Sequence, residues 1–351
     1  MIKMSRKEPA DDITTSLDPT VWFNNTKNGL RETSILDWIE CAVLLFGPKN
    51  INTLIDAWIE SGNRYYDQKQ FTNYADSQSD KESEPTDSET AQSEFFNSTI
   101  AGLRFRENVL QLAYPFKIDD STNVMALKVG CNNSQSNLYA HLLLISVLEQ
   151  YGRNKLFSSL AHRDHGTLRL FFERLVTEAL RHKGYKCAHI GTGGPSGNFA
   201  SKVTQCMTDL ALGTPGDRAA FQKYAKDGGV DIIAGHFWGD HQSREVVLLV
   251  QCTVSPPDEW QHKINEAASV HWSNLLNQAS PQISCLATPL PTTADSLNHL
   301  TLLTSHTFFD RIRLSLAGQG MAIQSIPDYD KYHKIVTKAL KARNISLPKI
   351  F

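Results

Sequence analysis

The stretch Lys226-Asp227-Gly228-Gly229-Val230-Asp231-Ile232-Ile233-Ala234, read together with Leu248-Leu249-Val250-Gln251-Cys252-Thr253, decides the fold of the C-terminal half. Each segment is an apolar run with a polar residue at one end, and polar turn residues around Gly239-Asp240-His241-Gln242-Ser243 separate them. That pattern predicts a β-hairpin with strands over 230–234 and 246–254. Its turn is centred near position 241, and Asp231 and Gln251 are equally far from that centre. In an antiparallel pair they face each other across the ladder. Alternation puts Gln251 and Thr253 on one strand face, with Asp231 and Ile233 on the partner strand. A carboxylate and a carbonyl oxygen on neighbouring strands, at the end of a sheet, suit a hard divalent cation such as Mg²⁺. Such an ion activates water and neutralises charge on a phosphodiester.

Working outward, Phe172, Leu175, Val176, Ala179 and Leu180 recur at helical spacing, in a helix that stops at Gly184. A Gly-rich stretch over 191–197 lacks the Lys-Ser/Thr of a phosphate-binding loop and reads as a flexible loop. Helical patterns cover 199–212, 218–226 and 259–279. Strands are expected at 283–287 and 300–304, then helices at 307–316 and 328–343. The succession of helix, hairpin, helix, strand and helix predicts an α/β or α+β layer fold with a mixed sheet.

The first half is less informative. Two helices are expected over 34–61, capped by Ser34 and by Asn52 or Thr53. Residues 75–94 are acidic, rich in Ser and Thr, and read as a solvated loop without a core of its own. A helix over 95–111, strands over 112–117 and 123–129, and an apolar helix over 138–151 follow. The expected division is a mostly helical unit over 1–160 and a second unit over 161–351.

The chain has 351 residues, 41% hydrophobic and 21% charged, a net charge of −2 and a pI near 6.6. That composition excludes wholesale disorder. Its charge does not favour nucleic acid, although a local basic groove would suffice for binding. The six cysteines form no CxxC pair and sit in apolar runs, so buried free thiols are expected. No apolar run approaches the roughly 20 residues that span a bilayer, and no signal peptide is read at the start, so a cytoplasmic protein is expected.

Over residues 170 to about 315 the chain resembles the PD-(D/E)xK nuclease superfamily, within it the Mrr-like restriction endonucleases. The residues that carry the resemblance are Phe172-Glu173-Arg174-Leu175 and the two segments quoted at the outset. The resemblance implies a restriction-endonuclease-like fold and a Mg²⁺- or Mn²⁺-dependent endonuclease acting on DNA. A prokaryotic anti-phage setting, a partner protein and a homodimer are implied with it. Asp231 and Gln251 would bind the metal, and Glu173 would be an added ligand or organiser. The family's lysine position holds Thr253, and Lys263 is the candidate to replace it from the following helix. Without a replacement, the alternative is an inactive nucleic-acid-binding or assembly subunit. Elsewhere, His236, Asp240 and His241 read as turn polarity, and His162 and His165 as no metal site. Asp227 is either a second carboxylate or a turn residue. Arg311 and Arg313 either face a phosphate backbone or lie in a salt-bridged amphipathic helix.

Overall fold

The computed structural model describes residues 17, 31–63, 88–128, 137–151, 160–192, 194, 196–212, 216, 228–239, 245–267, 269–276, 281–292, 297, 300, 306–348 and 350–351. The expected helix at 218–226, together with Asp227, Asp240 and His241, lies outside them.

The fold is mixed α+β. Its first part comprises α1 (Arg31–Phe46), β1 (Lys49–Asn50), α2 (Ile51–Asn63), α3 (Ser88–Leu110), β2 (Phe116–Ile118), β3 (Val124–Leu127) and α4 (Leu138–Ser146). The last of these runs on through a wider turn, Val147–Tyr151. The three strands form an antiparallel sheet in the order β1-β3-β2. Asn50, rather than Asn52 or Thr53, caps α2, its Oδ1 accepting from the amides of Asn52 (2.9 Å) and Thr53 (3.4 Å). The acidic stretch ends earlier than expected, because α3 begins at Ser88. Thr90, Gln92, Ser93 and Glu94 are exposed there, so these turns need no core while later residues such as Leu103 and Leu110 anchor the helix.

The second part comprises α5 (His162–His182), β4 (Lys186–His189), α6 (Phe199–Leu210), β5 (Ile232–Gly235), β6 (Val247–Cys252), α7 (Trp260–Glu266) and α8 (Ser269–Leu276). It ends with β7 (Gln282–Ala287), β8 (His306–Phe309), α9 (Arg311–Ala317) and α10 (Tyr329–Lys341). The five strands lie in sequence order, antiparallel from β4 to β6 and parallel from β6 to β8. Ile232 pairs with Val250 and Ile233 with Leu249. One step further along this register, Asp231 stands opposite Gln251, as the hairpin arithmetic predicts.

Three expectations are corrected. The strand β4 was not anticipated. The helix at 259–279 is two helices, since α7 ends at Ala267, whose carbonyl is taken by Ser284 Oγ (2.8 Å). The strand expected over 300–304 lies, from 301 on, outside the described residues, whereas the first residues of the helix expected over 307–316 belong to β8 and α9 starts only after Asp310. That residue caps the helix by accepting from the Arg313 amide (2.9 Å).

Period-two alternation sorts the sheet into two faces. Ile232, Ala234, Leu248, Val250, Cys285 and Ala287 pack against α5 and the helices beyond it. Ala188, Ile190, Ile233, Val247 and Leu249 pack against Phe199, Val203 and Met207 of α6 and Trp272 and Leu275 of α8. The first of these clusters runs across residue 160 and includes Trp38, Leu103, Leu142, Phe171 and Val336. The two expected units therefore share a core.

A buried ion network crosses the same line. Arg311 of α9 binds Asp37 of α1 through both guanidinium nitrogens (2.7 and 2.8 Å), and Arg106 of α3 reaches Asp37 (2.9 Å) and Glu40 (2.8 Å). Tyr114 and Tyr139 donate to Glu40. Burial works against the Asp37 charge, but Arg311 and Arg106 overrule it and hold the carboxyl below the ordinary range. Arg311 thus faces no phosphate: it is fully buried, while Arg313 donates to the Phe308 carbonyl (2.7 Å). At the C-terminal end, His141 of α4 hydrogen-bonds the Tyr332 hydroxyl (3.0 Å) and packs edge-on against Phe351.

Candidate active site

The candidate site lies where β4, β5 and β6 end together. Asp231 is 6% exposed. Its amide donates to the Val250 carbonyl (2.9 Å) and its Oδ2 accepts from the Cys252 amide (2.7 Å), so it is held on both sides of the Gln251 position. On the other flank, the amides of both Ile190 (2.7 Å) and Gly191 (3.0 Å) donate to the single carbonyl of Asp231. Two residues opposing one is a β-bulge, a device that bends a strand and re-aims its neighbours. The carbonyls of Ile190 and Gly191 accept from Lys202 Nζ of α6 (3.2 and 3.4 Å). The Gly-rich segment is therefore no slack loop at its start, because it closes the sheet.

The bulge brings Glu173 to Asp231. A Cβ on Gly191 would lie 2.6 Å from Asp231 Oδ1 and 2.9 Å from Glu173 Oε2, so the two carboxylates border one small space that only glycine leaves open. Glu173 comes from the middle of α5, and its Oε2 lies 2.7 Å from His189 Nε2, at the end of β4. Cys252, half-buried beside them, has its thiol pushed well above the ordinary value by desolvation and then by the charges of Asp231 and Glu173.

Gln251 is half-buried, and its side-chain Oε1 is buried with no hydrogen-bond donor among the described residues. A carbonyl oxygen in that state, on the strand position opposite Asp231, is the donor type a hard cation accepts. Among the described residues, no set of three His, Cys, Asp or Glu side chains converges as metal ligands. A cation here would depend on Asp231, on the Gln251 carbonyl and on water.

Lys263, the expected replacement for the lysine, is placed against its own helix. Its ammonium pairs with Glu266 (2.9 Å) three residues along the same helix, an ordinary helix-surface ion pair. Thr253, in the lysine's place, is buried, and its hydroxyl accepts from the Ser255 amide (3.1 Å) in a local turn. Gly228 and Gly229, both with positive φ, are required by packing: a Cβ on Gly229 would meet the Glu266 carbonyl at 2.3 Å. His165 pairs with Glu149 (2.8 Å), and the His236 ring lies tilted against Tyr185.

The site residue missed from sequence is His189. Lys186-Cys187-Ala188-His189 is short and has no β-branched residue, so no strand signal flags it. Five of the six cysteines are described, all free. Among the described residues, no helix is long and apolar enough to cross a membrane. No protein family, curated protein or solved structure was found to match the chain.

Proposed function

We propose that the chain is a metal-dependent endonuclease with a restriction-endonuclease-like core, hydrolysing DNA phosphodiester bonds in a prokaryotic defence setting. One observation carries this reading. Asp231 and the donorless Gln251 oxygen occupy facing positions on paired strands at the sheet's end, with Glu173 beside them. The order of helix, strand, hairpin, helices and strand around them supports it. Mg²⁺ or Mn²⁺, held by Asp231 and Gln251, would supply Lewis acidity and a lowered water pKa. The chain's own residues do the rest. The Cys252 amide and the bulge fix the Asp231 carboxylate, and Gly191 keeps the space in front of it open. Glu173 is held by His189 and organises that space.

The test is cleavage of plasmid DNA with Mg²⁺ or Mn²⁺. Wild type nicks or linearises the plasmid, and Asp231→Asn lowers the rate by about 10³-fold or more, the scale of losing one charge-stabilising group. A wild type that never cuts, with an Asp231→Asn variant that takes up Mn²⁺ equally well in calorimetry, overturns the reading. The burial of Thr253 in the lysine position favours a second reading, a nuclease-fold module that binds nucleic acid without cutting. It predicts binding that is sensitive to salt and indifferent to divalent metal and to Asp231.

A further inference from the structure

We propose that the lysine face of α10 holds the phosphate backbone of duplex DNA beside the candidate site. The proposal rests on the nucleic-acid part of the reading above and adds to it the surface on which the DNA lies.

Lys331, Lys334, Lys338 and Lys341 follow one another at intervals of three, four and three residues, so they share one face of α10, and all four are exposed. The opposite face, with Tyr332, Ile335, Val336, Ala339 and Leu340, is buried in the core. Lys331 reaches back to Asp328 (2.7 Å), and Lys338 reaches across to Asp164 of α5 (2.8 Å). The other Asp164 oxygen lies 4.0 Å from the exposed Arg163 guanidinium, which therefore joins the row beside Lys338. Lys334 and Lys341 have no carboxylate partner among the described residues. The four lysines span about 15 Å along the helix. That is the rise of about four phosphates on one DNA strand.

The contacts also place this face. β4 turns back along α5 until His189 meets Glu173 (2.7 Å), so the sheet ends level with Glu173 and the earlier turns of α5 project past it. α10 runs antiparallel to α5. Asp328, at its start, meets Arg174, the neighbour of Glu173, whereas Lys338 meets Asp164 near the beginning of α5. The row thus begins level with the candidate site and follows α5 outward beyond the strand ends.

Other accounts of the row are weaker. A face kept only for solubility mixes both signs, yet no acid lies between Lys331 and Arg343, in a chain with 37 acidic and 35 basic residues. The helix dipole favours Lys338 and Lys341, but it fades within the last turn and leaves Lys331 and Lys334 unexplained. A membrane-surface helix needs a free apolar face, and that of α10 is buried. Protein interfaces are depleted in lysine.

The test is binding of a short fluorescent DNA duplex by the full chain in EDTA, over a range of salt. For wild type, the logarithm of the affinity should fall linearly with the logarithm of salt concentration. Lys334→Gln with Lys341→Gln should flatten that slope by about 2, nearly one for each lost phosphate contact, and should weaken unrelated sequences alike. Lys117→Gln, at an exposed lysine of β2, should leave the slope unchanged. The proposal is overturned by a wild type that binds no duplex at low salt, by an unchanged slope in the double variant, or by an equal loss in Lys117→Gln. Phosphatidylserine–phosphatidylcholine vesicles that bind as tightly as the duplex, through the same lysines, overturn it in favour of a membrane. A double variant that binds and cuts like wild type overturns the surface and leaves the nuclease reading standing. A wild type that binds DNA through these lysines but cuts nothing with Mg²⁺ or Mn²⁺ supports the surface and overturns the nuclease reading.

Discussion

Two groups of buried carboxylates in this molecule are held in opposite ways. Asp37 and Glu40 are met by the guanidiniums of Arg106 and Arg311, whose charge does not change at any accessible pH. Asp231 is met by a backbone amide and Glu173 by an imidazole, with no guanidinium of the described residues against either. The first group sits in the core between α1, α3, α4 and α9; the second sits where three strands end. The contrast teaches that burial of charge alone does not mark a site. A carboxylate matched by guanidiniums holds elements together, and one matched by an amide or an imidazole at a strand end keeps an open space beside it.

Substitutions can break or sharpen that contrast. The largest effect on stability is expected from Asp37→Asn, which leaves Arg311 buried without its bidentate partner. It should cost about 3–5 kcal/mol in urea unfolding, and a cost near zero would show that the network does not hold the halves together. Because the Asp37 carboxyl lies below its unfolded value, its contribution is present above about pH 3.9 and is lost as pH falls below it.

Gly191→Ala comes next. The added methyl meets both carboxylates, and overpacking of this kind costs about 1–3 kcal/mol. Its loss of cleavage should exceed its loss of stability, and equal losses would place Gly191 in the scaffold rather than the site.

A smaller effect concerns His141. Burial, with a lesser push from His333, holds its pKa down to about 3. The unfolded chain therefore binds a proton that the fold refuses, and stability declines as pH falls from about 6.5 towards 3. Comparing the pH dependence of thermal unfolding for wild type and His141→Phe should show a shallower slope in the variant. The smallest effect is that of Lys263→Ala, which removes a surface ion pair and should change stability by under about 1 kcal/mol. Cleavage should be untouched, and a large loss of rate would return Lys263 to the site.

The sequence made half of the candidate site legible. Asp231 and Gln251 are joined by a hairpin, and turn geometry converts their separation along the chain into a register. Lys263 is met first by Glu266, because a helix position sets which neighbours a long side chain finds within reach on its own helix. His189 and Glu173 are 16 residues apart on a helix and a strand whose packing no local pattern encodes. The bulge that brings Asp231 to Glu173 leaves no trace beyond a glycine in a stretch already rich in them. Of the two readings left open for Arg311 the salt-bridged one holds, but its partner Asp37 lies 274 residues away and no local pattern names it.

The salt link from Asp37 to Arg311 also limits how this chain can be taken apart or exchanged. A fragment starting near residue 161 would carry Arg311 with its carboxylates removed and with the contacts of Tyr139, Ser146 and Leu142 stripped from α9 and its surroundings. Such a fragment should not fold on its own. Grafting a foreign N-terminal half onto this one would succeed only if the graft brought a matching pair of acids to the same place, so the two halves are bound to vary together.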